Sequence, residues 1–274
     1  MQYLDLKKTE IELKDYRHRT ADEQDCSISV SGDSIVKING KIVLAYFDSI
    51  VDKQLDRMID VIKKMTFTES MRSGGLKTTS RIFGFKPRNQ IRNAPCSSTS
   101  FAFDEPELHQ VVAHGSKLAS KFYFDNFPEL ASAHMNLAKE KVKSGYLIED
   151  TMFTSGIVNK NNPLKYHFDS GNFSNVCSAM FGFKKNIEGG WLCLPELDVK
   201  LPISNNSLLL FDGQNLLHGV SPITRTKVDS YRYTVVYYSL KQMWNCEVIT
   251  DEITRLRSIR SRIEKSKVSK NEIV

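Results

Sequence analysis

The chain has 274 residues, 41% of them hydrophobic, and 38 basic against 32 acidic side chains give a formal net charge of +6. That suits one large domain with a real core, and the absence of any run of about 18 apolar residues excludes a helical membrane span. The charged opening MQYLDLKKTEIELKDYRHRT lacks the apolar centre of a secretory signal, so an intracellular protein, cytoplasmic or nuclear, is expected.

Residues 1–30 are polar and are expected to be loosely ordered. VKINGKIVLAYF, from Val36 to Phe47, predicts a hairpin turning at Asn39-Gly40. From Asp48 to Lys64 apolar residues recur at helical spacing (Ile50, Leu55, Met58, Ile59, Val61, Ile62), started by Asp48 or Ser49. SRIFGFKPRNQIRNAPCSSTSF, from Ser80 to Phe101, mixes aromatics, prolines, hydroxyls and cations, and predicts short strands and loops. Two helices follow, from Glu105 to Asn126 and from Phe127 or Pro128 to Lys143, with Gly145 as the stop.

From Tyr146 the character changes. MFTSGIVN, VCSAMFGF, GWLCLPEL, DVKLPI, SLLLFDG and YRYTVVYYSL are short strand-like segments separated by turn signals. Many short strands with regular turns predict a barrel or sandwich, here an α+β protein whose β-rich half is braced by N-terminal helices. The five cysteines are scattered without a CxxC pair, so free thiols are expected, with Cys177 and Cys193 as small core residues. Trp191, after Gly189-Gly190, is expected to pack inside the barrel. The basic run RLRSIRSRIEKSKVSK, from Arg255 to Lys270, is either a solvated terminal helix or a phosphate-contacting arm.

YHFDSGNF, from Tyr166 to Phe173, carries the chemistry. His167 and Asp169 lie two apart, so on extended chain an imidazole and a carboxylate face one point. A third ligand is needed. His18 lies in the polar N-terminus, and His109, His114 and His134 lie in helical segments. His218 follows a strand of the same β-rich half. Two histidines and one carboxylate form the facial triad of non-haem Fe(II) oxygenases, with zinc as the chemical competitor. In YRYTVVYYS, Arg232 and Thr234 share a face with Val236 and Tyr238, and together suit a carboxylate of 2-oxoglutarate. Arg225, in the loop TRTKVDS, is the rival cation. Asp212 is either a partner orienting a ligand histidine or part of an Asp-Gly turn.

The segments FTSGIVNKNNPLKYHFDSGNF, EGGWLCLPELDVKLPISNNSLLLFDGQNLLHGVSPI and RYTVVYYSLKQMW, with the upstream SRIFGFKPRNQIRNAPCSSTSF, resemble the Fe(II)/2-oxoglutarate dioxygenase superfamily, and within it the TET/JBP group. The resemblance runs from about Arg81 to Trp244, and the compact chain looks like viral or microbial members. It implies a double-stranded β-helix (jelly-roll) core. It further implies iron ligation by His167, Asp169 and His218, and anchoring of 2-oxoglutarate by Arg232 and Thr234. O2 is then the oxidant, and a 5-methyl group of thymine or 5-methylcytosine in DNA is the position hydroxylated. Asn172 completes an H-x-D-x-x-N pattern and becomes a candidate for touching the target base. Arg81, Lys86, Arg88, Arg92 and the basic tail become candidate phosphate contacts. The implied organisation is a polar extension over 1–30, one dioxygenase domain over 31–250 and a basic tail over 251–274. Within the domain the helical brace covers 48–145 and the β-helix core 146–246. Competing readings are hydroxylation of a protein side chain or small molecule, zinc-dependent hydrolysis, and a non-catalytic DNA-binding protein.

Overall fold

A computed structural model describes every residue except His18, 72–76 and 272–274, and describes residues 265–271 by their backbone alone. Two β-sheets face each other. The larger has ten strands: nine run in the order Gln2–Leu6, Ser34–Ile38, Lys41–Phe47, Ser207–Phe211, Ser178–Lys185, Tyr231–Tyr238, Ser155–Lys160, Lys77–Lys86, Thr68–Met71, and the tenth, Ser97–Ser98, pairs with Lys77–Lys86 off this path. The smaller runs Ile28–Ser29, Val199–Leu201, Leu192–Leu194, His218–Val220, Leu164–His167. Through the β-rich half the chain crosses repeatedly between the sheets: Ser155–Lys160, Ser178–Lys185, Ser207–Phe211 and Tyr231–Tyr238 lie in the large one, and Leu164–His167, Leu192–Leu194, Val199–Leu201 and His218–Val220 in the small one, the pattern of a double-stranded β-helix.

The alternation of side chains along the strands gives the molecule its layers. Leu44, Tyr46, Met180, Leu209 and Phe211 of the large sheet meet Leu192, Leu194, Val199 and Leu201 of the small one in a core between the sheets. The opposite face of the large sheet carries Ala45, Phe47, Phe83, Phe181, Val235 and Tyr237, which pack on Leu55, Met58, Val112, Ala119 and Tyr123 of the helices. Tyr237 is fully buried there and donates its hydroxyl to the carbonyl of Val112 at 2.6 Å.

The helices follow their local signals. Lys53–Ile62 is capped by Asp52, whose carboxylate accepts from the Gln54 N–H at 2.7 Å, so the start lies three or four residues later than expected. Pro106–Asn126 and Pro128–Lys141 each begin on a proline, whose fixed φ suits the first turn. The second ends before Gly145, because Val142 turns extended. Asn39 and Gly40, with φ of 50° and 75°, make the predicted hairpin turn.

Three expectations meet a different structure. The polar first thirty residues add strands to both sheets, and Ala21 and Cys26 of this segment cover the outer face of the small sheet, packing with Tyr166, Cys193 and Leu217. Trp191 packs in that outer cluster rather than inside the barrel, with Lys200 Nζ 5.8 Å above its ring. Not all the thiols are free: Cys96 and Cys246 form a disulfide across 150 residues, while Cys26, Cys177 and Cys193 stay reduced and buried. The bridge ties the segment after Lys77–Lys86 to the base of the C-terminal helix Ile249–Asn271. Glu252 of that helix is buried beside it, accepting from Arg88 Nε at 2.7 Å and from the Cys96 N–H at 3.2 Å. Closing so long a loop removes much unfolded-chain entropy, so Cys96→Ser with Cys246→Ser is expected to lower unfolding free energy by about 3–5 kcal/mol. Urea unfolding with and without a reductant checks this: the reductant should move the wild type to the variant's midpoint and leave the variant where it was.

No helix among the described residues is long and apolar enough to cross a membrane.

Candidate metal centre and co-substrate pocket

Leu164–His167 and His218–Val220 are antiparallel neighbours in which His167 stands directly opposite His218. Their ring centroids are 4.4 Å apart. Asp169 lies just past the strand end, placed by its N–H donating to the Gly213 carbonyl at 2.9 Å. Its Oδ1 is 3.6 Å from His167 Nε2 and 3.9 Å from His218 Nε2. One ligand atom from each residue falls within 4.8 Å of the other two, the only such group of three among the described residues.

The tautomers suit a metal. Nδ1 of His167 is 2.8 Å from the Lys165 carbonyl, and Nδ1 of His218 is 2.9 Å from the Leu216 carbonyl. A carbonyl only accepts, so both Nδ1 atoms carry the proton and both Nε2 lone pairs face Asp169. Phe211 packs edge-on against His218 at 5.0 Å and fixes its ring. Two imidazole nitrogens and one carboxylate on one side of a cavity are the donor set of a facial triad.

The other histidines are engaged elsewhere. His109 Nε2 accepts from the Gly84 N–H at 3.2 Å, and burial lowers its pKa. His114 sits 3.4 Å from Glu149 at the surface. His134 is buried among Tyr123, Phe153 and Phe173, bonded to Ser239 Oγ at 2.9 Å, and burial pushes its pKa down to about 3. His18 lies outside the described residues.

A cavity of about 200 Å³ opens between the sheets at the three ligands. Arg232, Thr234, Val236 and Tyr238 all line it, the alternation read from the sequence. Arg232 is only 3% exposed, and its Nε and Nη2 have no partner. Burial lowers its pKa to about 10, so the guanidinium is still charged at neutral pH. A buried cation without a counter-ion is costly, and a carboxylate entering the cavity would relieve it. Arg225 lies at the surface, donating to the Val228 carbonyl, and does not line this cavity.

Sequence reasoning missed Asn159 and Asn162, which also line the cavity. Asn159 Nδ2 donates to Thr234 Oγ1 at 3.3 Å. Asn162 is pinned to the Thr79 backbone in both directions at 2.9 Å and donates to Asn159 Oδ1 at 3.3 Å. The available signal was a carboxamide directly after the apolar pair Ile157-Val158, two positions beyond Ile157 on the same strand.

Asp212 accepts from the backbone and side chain of Asn215, so it shapes a turn and holds neither histidine. The glycine beside it matters more: a Cβ on Gly213 would come within 2.7 Å of Asp169 Oδ2 and 3.0 Å of the Phe211 ring. Gly213→Ala is therefore expected to displace the carboxylate and weaken metal binding about tenfold or more, the range seen when residues behind metal ligands are altered. Titration with Co(II), followed by its visible absorption, measures this.

Asn172 lines the same cavity, and its Nδ2 donates to Ser178 Oγ at 3.1 Å and reaches Asp169 Oδ2 at 3.5 Å. The candidate phosphate contacts are spread out. Arg81 is mostly buried against Asp104 at 2.7 Å and stacks over Phe101. Arg88 is held by Glu252. Arg92 is exposed, on the turn where Asn89 pairs with Ala94. Arg255, Arg257, Arg260 and Arg262 are exposed on the C-terminal helix, and the tail's later side chains lie outside the described residues.

No protein-family model matches the chain. Among characterised proteins it is similar to the bifunctional helicase and thymine dioxygenase JBP2. The match is 27% identical over 208 residues to the Leishmania tarentolae protein, spanning 72% of this chain and 18% of that one. To the Trypanosoma brucei brucei protein it is 25% identical over 142 residues, spanning 52% and 13%. The chain thus spans less than a fifth of the relatives it matches. Among solved structures, NgTET1 in complex with 5mC DNA superposes with a TM-score of 0.57 at 18% identity, covering 84% of this chain and 83% of that one. The fold is therefore the jelly-roll of that structure, and the likeness to the TET/JBP group holds in both sequence and fold.

Proposed function

We propose that this chain is an Fe(II)- and 2-oxoglutarate-dependent dioxygenase of the TET/JBP kind, hydroxylating the 5-methyl group of thymine or 5-methylcytosine in DNA. The observation that carries this reading is the pairing, in one cavity, of a His–Asp–His donor set with a buried, unpartnered guanidinium. Zinc hydrolysis gives that guanidinium no task. JBP2 is a thymine dioxygenase by name, and NgTET1 was solved with methylcytosine DNA, which supports the substrate class.

His167, Asp169 and His218 would hold the iron. Arg232 would take the distal carboxylate of 2-oxoglutarate, with the Thr234 hydroxyl beside it oriented by Asn159. Together these partners supply the oxidation: 2-oxoglutarate and O2 become succinate and CO2, and one oxygen atom reaches the substrate. The chain orients and shields. Leu164, Met180, Leu192 and Val220 give the cavity apolar walls that limit water. Asn172 has its Nδ2 occupied by Ser178 and its backbone carbonyl by Gln214, which leaves its side-chain Oδ1 to accept from a base. Thymine N3–H and methylcytosine N4–H2 both offer a donor. A base within a duplex must flip to reach this depth. Arg92 would touch the phosphate backbone, while Arg81 and Arg88 would act through the segments that they brace.

The test is direct. Protein loaded anaerobically with Fe(II) is given 2-oxoglutarate, O2 and DNA with or without 5-methylcytosine, and the digested nucleosides are weighed. A gain of one oxygen on thymidine or methyldeoxycytidine supports the proposal and names the base. Succinate without modified nucleoside would keep the oxygenase and discard DNA. Neither product from iron-loaded protein would discard both.

A further inference from the structure

Arg232 points into the cavity between the sheets, so its neighbours Tyr231 and Tyr233 face the other side of the same strand. There they line a separate depression of about 380 Å³ with Lys63, Lys160, Lys185 and Arg225. That volume is within the range of small-ligand sites, about 300–1,000 Å³. The walls are aromatic and held in place. Tyr233 stacks on Phe67 with centroids 6.0 Å apart, and Tyr231 lies 5.4 Å from Tyr233. Lys63 Nζ sits 5.0 Å from the centre of the Tyr231 ring and Lys160 Nζ 5.4 Å from that of Phe67.

The charge is one-sided. The lining's carboxylate, Asp229, is already bound by Lys185 and by Asn186 Nδ2. Among the described residues no carboxylate pairs with Lys63, Lys160 or Arg225. Three uncompensated cations around a concave aromatic wall raise the local concentration of anions. A phosphate answers the cations, and a base or sugar face answers the tyrosine.

We infer that this depression is a second binding site, for a phosphorylated nucleoside unit, either a free nucleotide or one unit of a nucleic-acid strand. It lies apart from the metal centre and goes beyond the oxygenase reading.

The probes are a fluorescein-labelled (dA)12 strand, which carries no 5-methylpyrimidine, and a fluorescent adenosine triphosphate, both followed by anisotropy. Lys63→Glu with Lys160→Glu is compared with Lys7→Glu plus Lys139→Glu, an equal charge change on exposed lysines elsewhere. The pocket pair is expected to weaken binding tenfold or more. For the strand, its slope of log K against log salt should fall by about 1.4, two contacts at ~0.7 each. The control pair should stay within twofold of wild type. Lys63→Gln with Lys160→Gln repeats the test without charge reversal, in case the first pair unfolds. Binding of the nucleotide alone identifies a free-nucleotide site; binding of the strand alone identifies a strand contact. The inference is overturned if neither probe binds wild type, or if the pocket variants weaken binding no more than the control. Hydroxylation of a methylated trinucleotide by the same variants reports the oxygenase separately, so either reading can fail alone.

Discussion

Asp169→Asn is expected to lower hydroxylation by at least ~100-fold, more than is typical for residues standing behind a metal ligand. The change is nearly isosteric, so the Asp169 N–H bond to the Gly213 carbonyl and the fold should survive. What it removes is charge. Two neutral imidazoles and a carboxylate offset one of the two positive charges of a divalent ion; two imidazoles and an amide offset none. It also changes a local contact, because Asn172 Nδ2 reaches Asp169 Oδ2 at 3.5 Å and an amide nitrogen there would meet it donor to donor. Two measurements are needed together. Co(II) absorption should show lost metal affinity, and circular dichroism should show an unchanged melting temperature for the metal-free protein. If turnover persists within tenfold of wild type, Asp169 is not a ligand and the metal assignment fails. His218→Ala should give the same loss with a further penalty, since His218 is buried against Phe211 and its removal leaves a cavity.

Much of the centre was legible because strand geometry is simple. An i, i+2 spacing puts two side chains on one side, and Arg232, Thr234, Val236 and Tyr238 do line one wall. For His167 and Asp169 that reasoning was only half apt: the strand stops at His167, and a backbone bond to Gly213 sets Asp169. Three-residue strands such as His218–Val220 carry too few positions to show a period, so the direct pairing of His218 with His167 was invisible. The disulfide was hidden for another reason, since pairing across 150 residues leaves no trace in local spacing. The ion pairs of two cations were hidden in the same way. Arg81 and Arg88 look free in a polar segment, but their carboxylate partners lie 23 and 164 residues away. Local composition could not place Trp191 either, because the N-terminal segment that covers it is contributed from the far end of the chain.

Arg232→Met should raise the 2-oxoglutarate KM by about 30-fold or more, while leaving the protein as stable as the wild type or more so. The two halves have one cause. The guanidinium is buried with Nε and Nη2 unpartnered, and burial already pulls its pKa down to about 10. Replacing such a charge by an apolar side chain of similar length removes its desolvation cost, so the ligand-free fold should be unaffected or stabilised. When a dicarboxylate is present the balance reverses, because truncating one member of a buried, hydrogen-bonded charge pair costs about 2–5 kcal/mol of binding. At about 1.4 kcal/mol per tenfold, the lower end of that range is close to a 30-fold change. Metal binding should be untouched, since Arg232 is not among the ligands. The decisive comparison is the melting temperature with and without 2-oxoglutarate under anaerobic Fe(II). Wild type should rise with ligand by linkage, and Arg232→Met should start level or higher and not respond. A variant that is strongly destabilised without ligand would mean that the guanidinium holds the fold rather than the co-substrate. A variant that still responds would move the carboxylate to another cation, and Arg225, at the surface outside this cavity, would have to swing inward to serve.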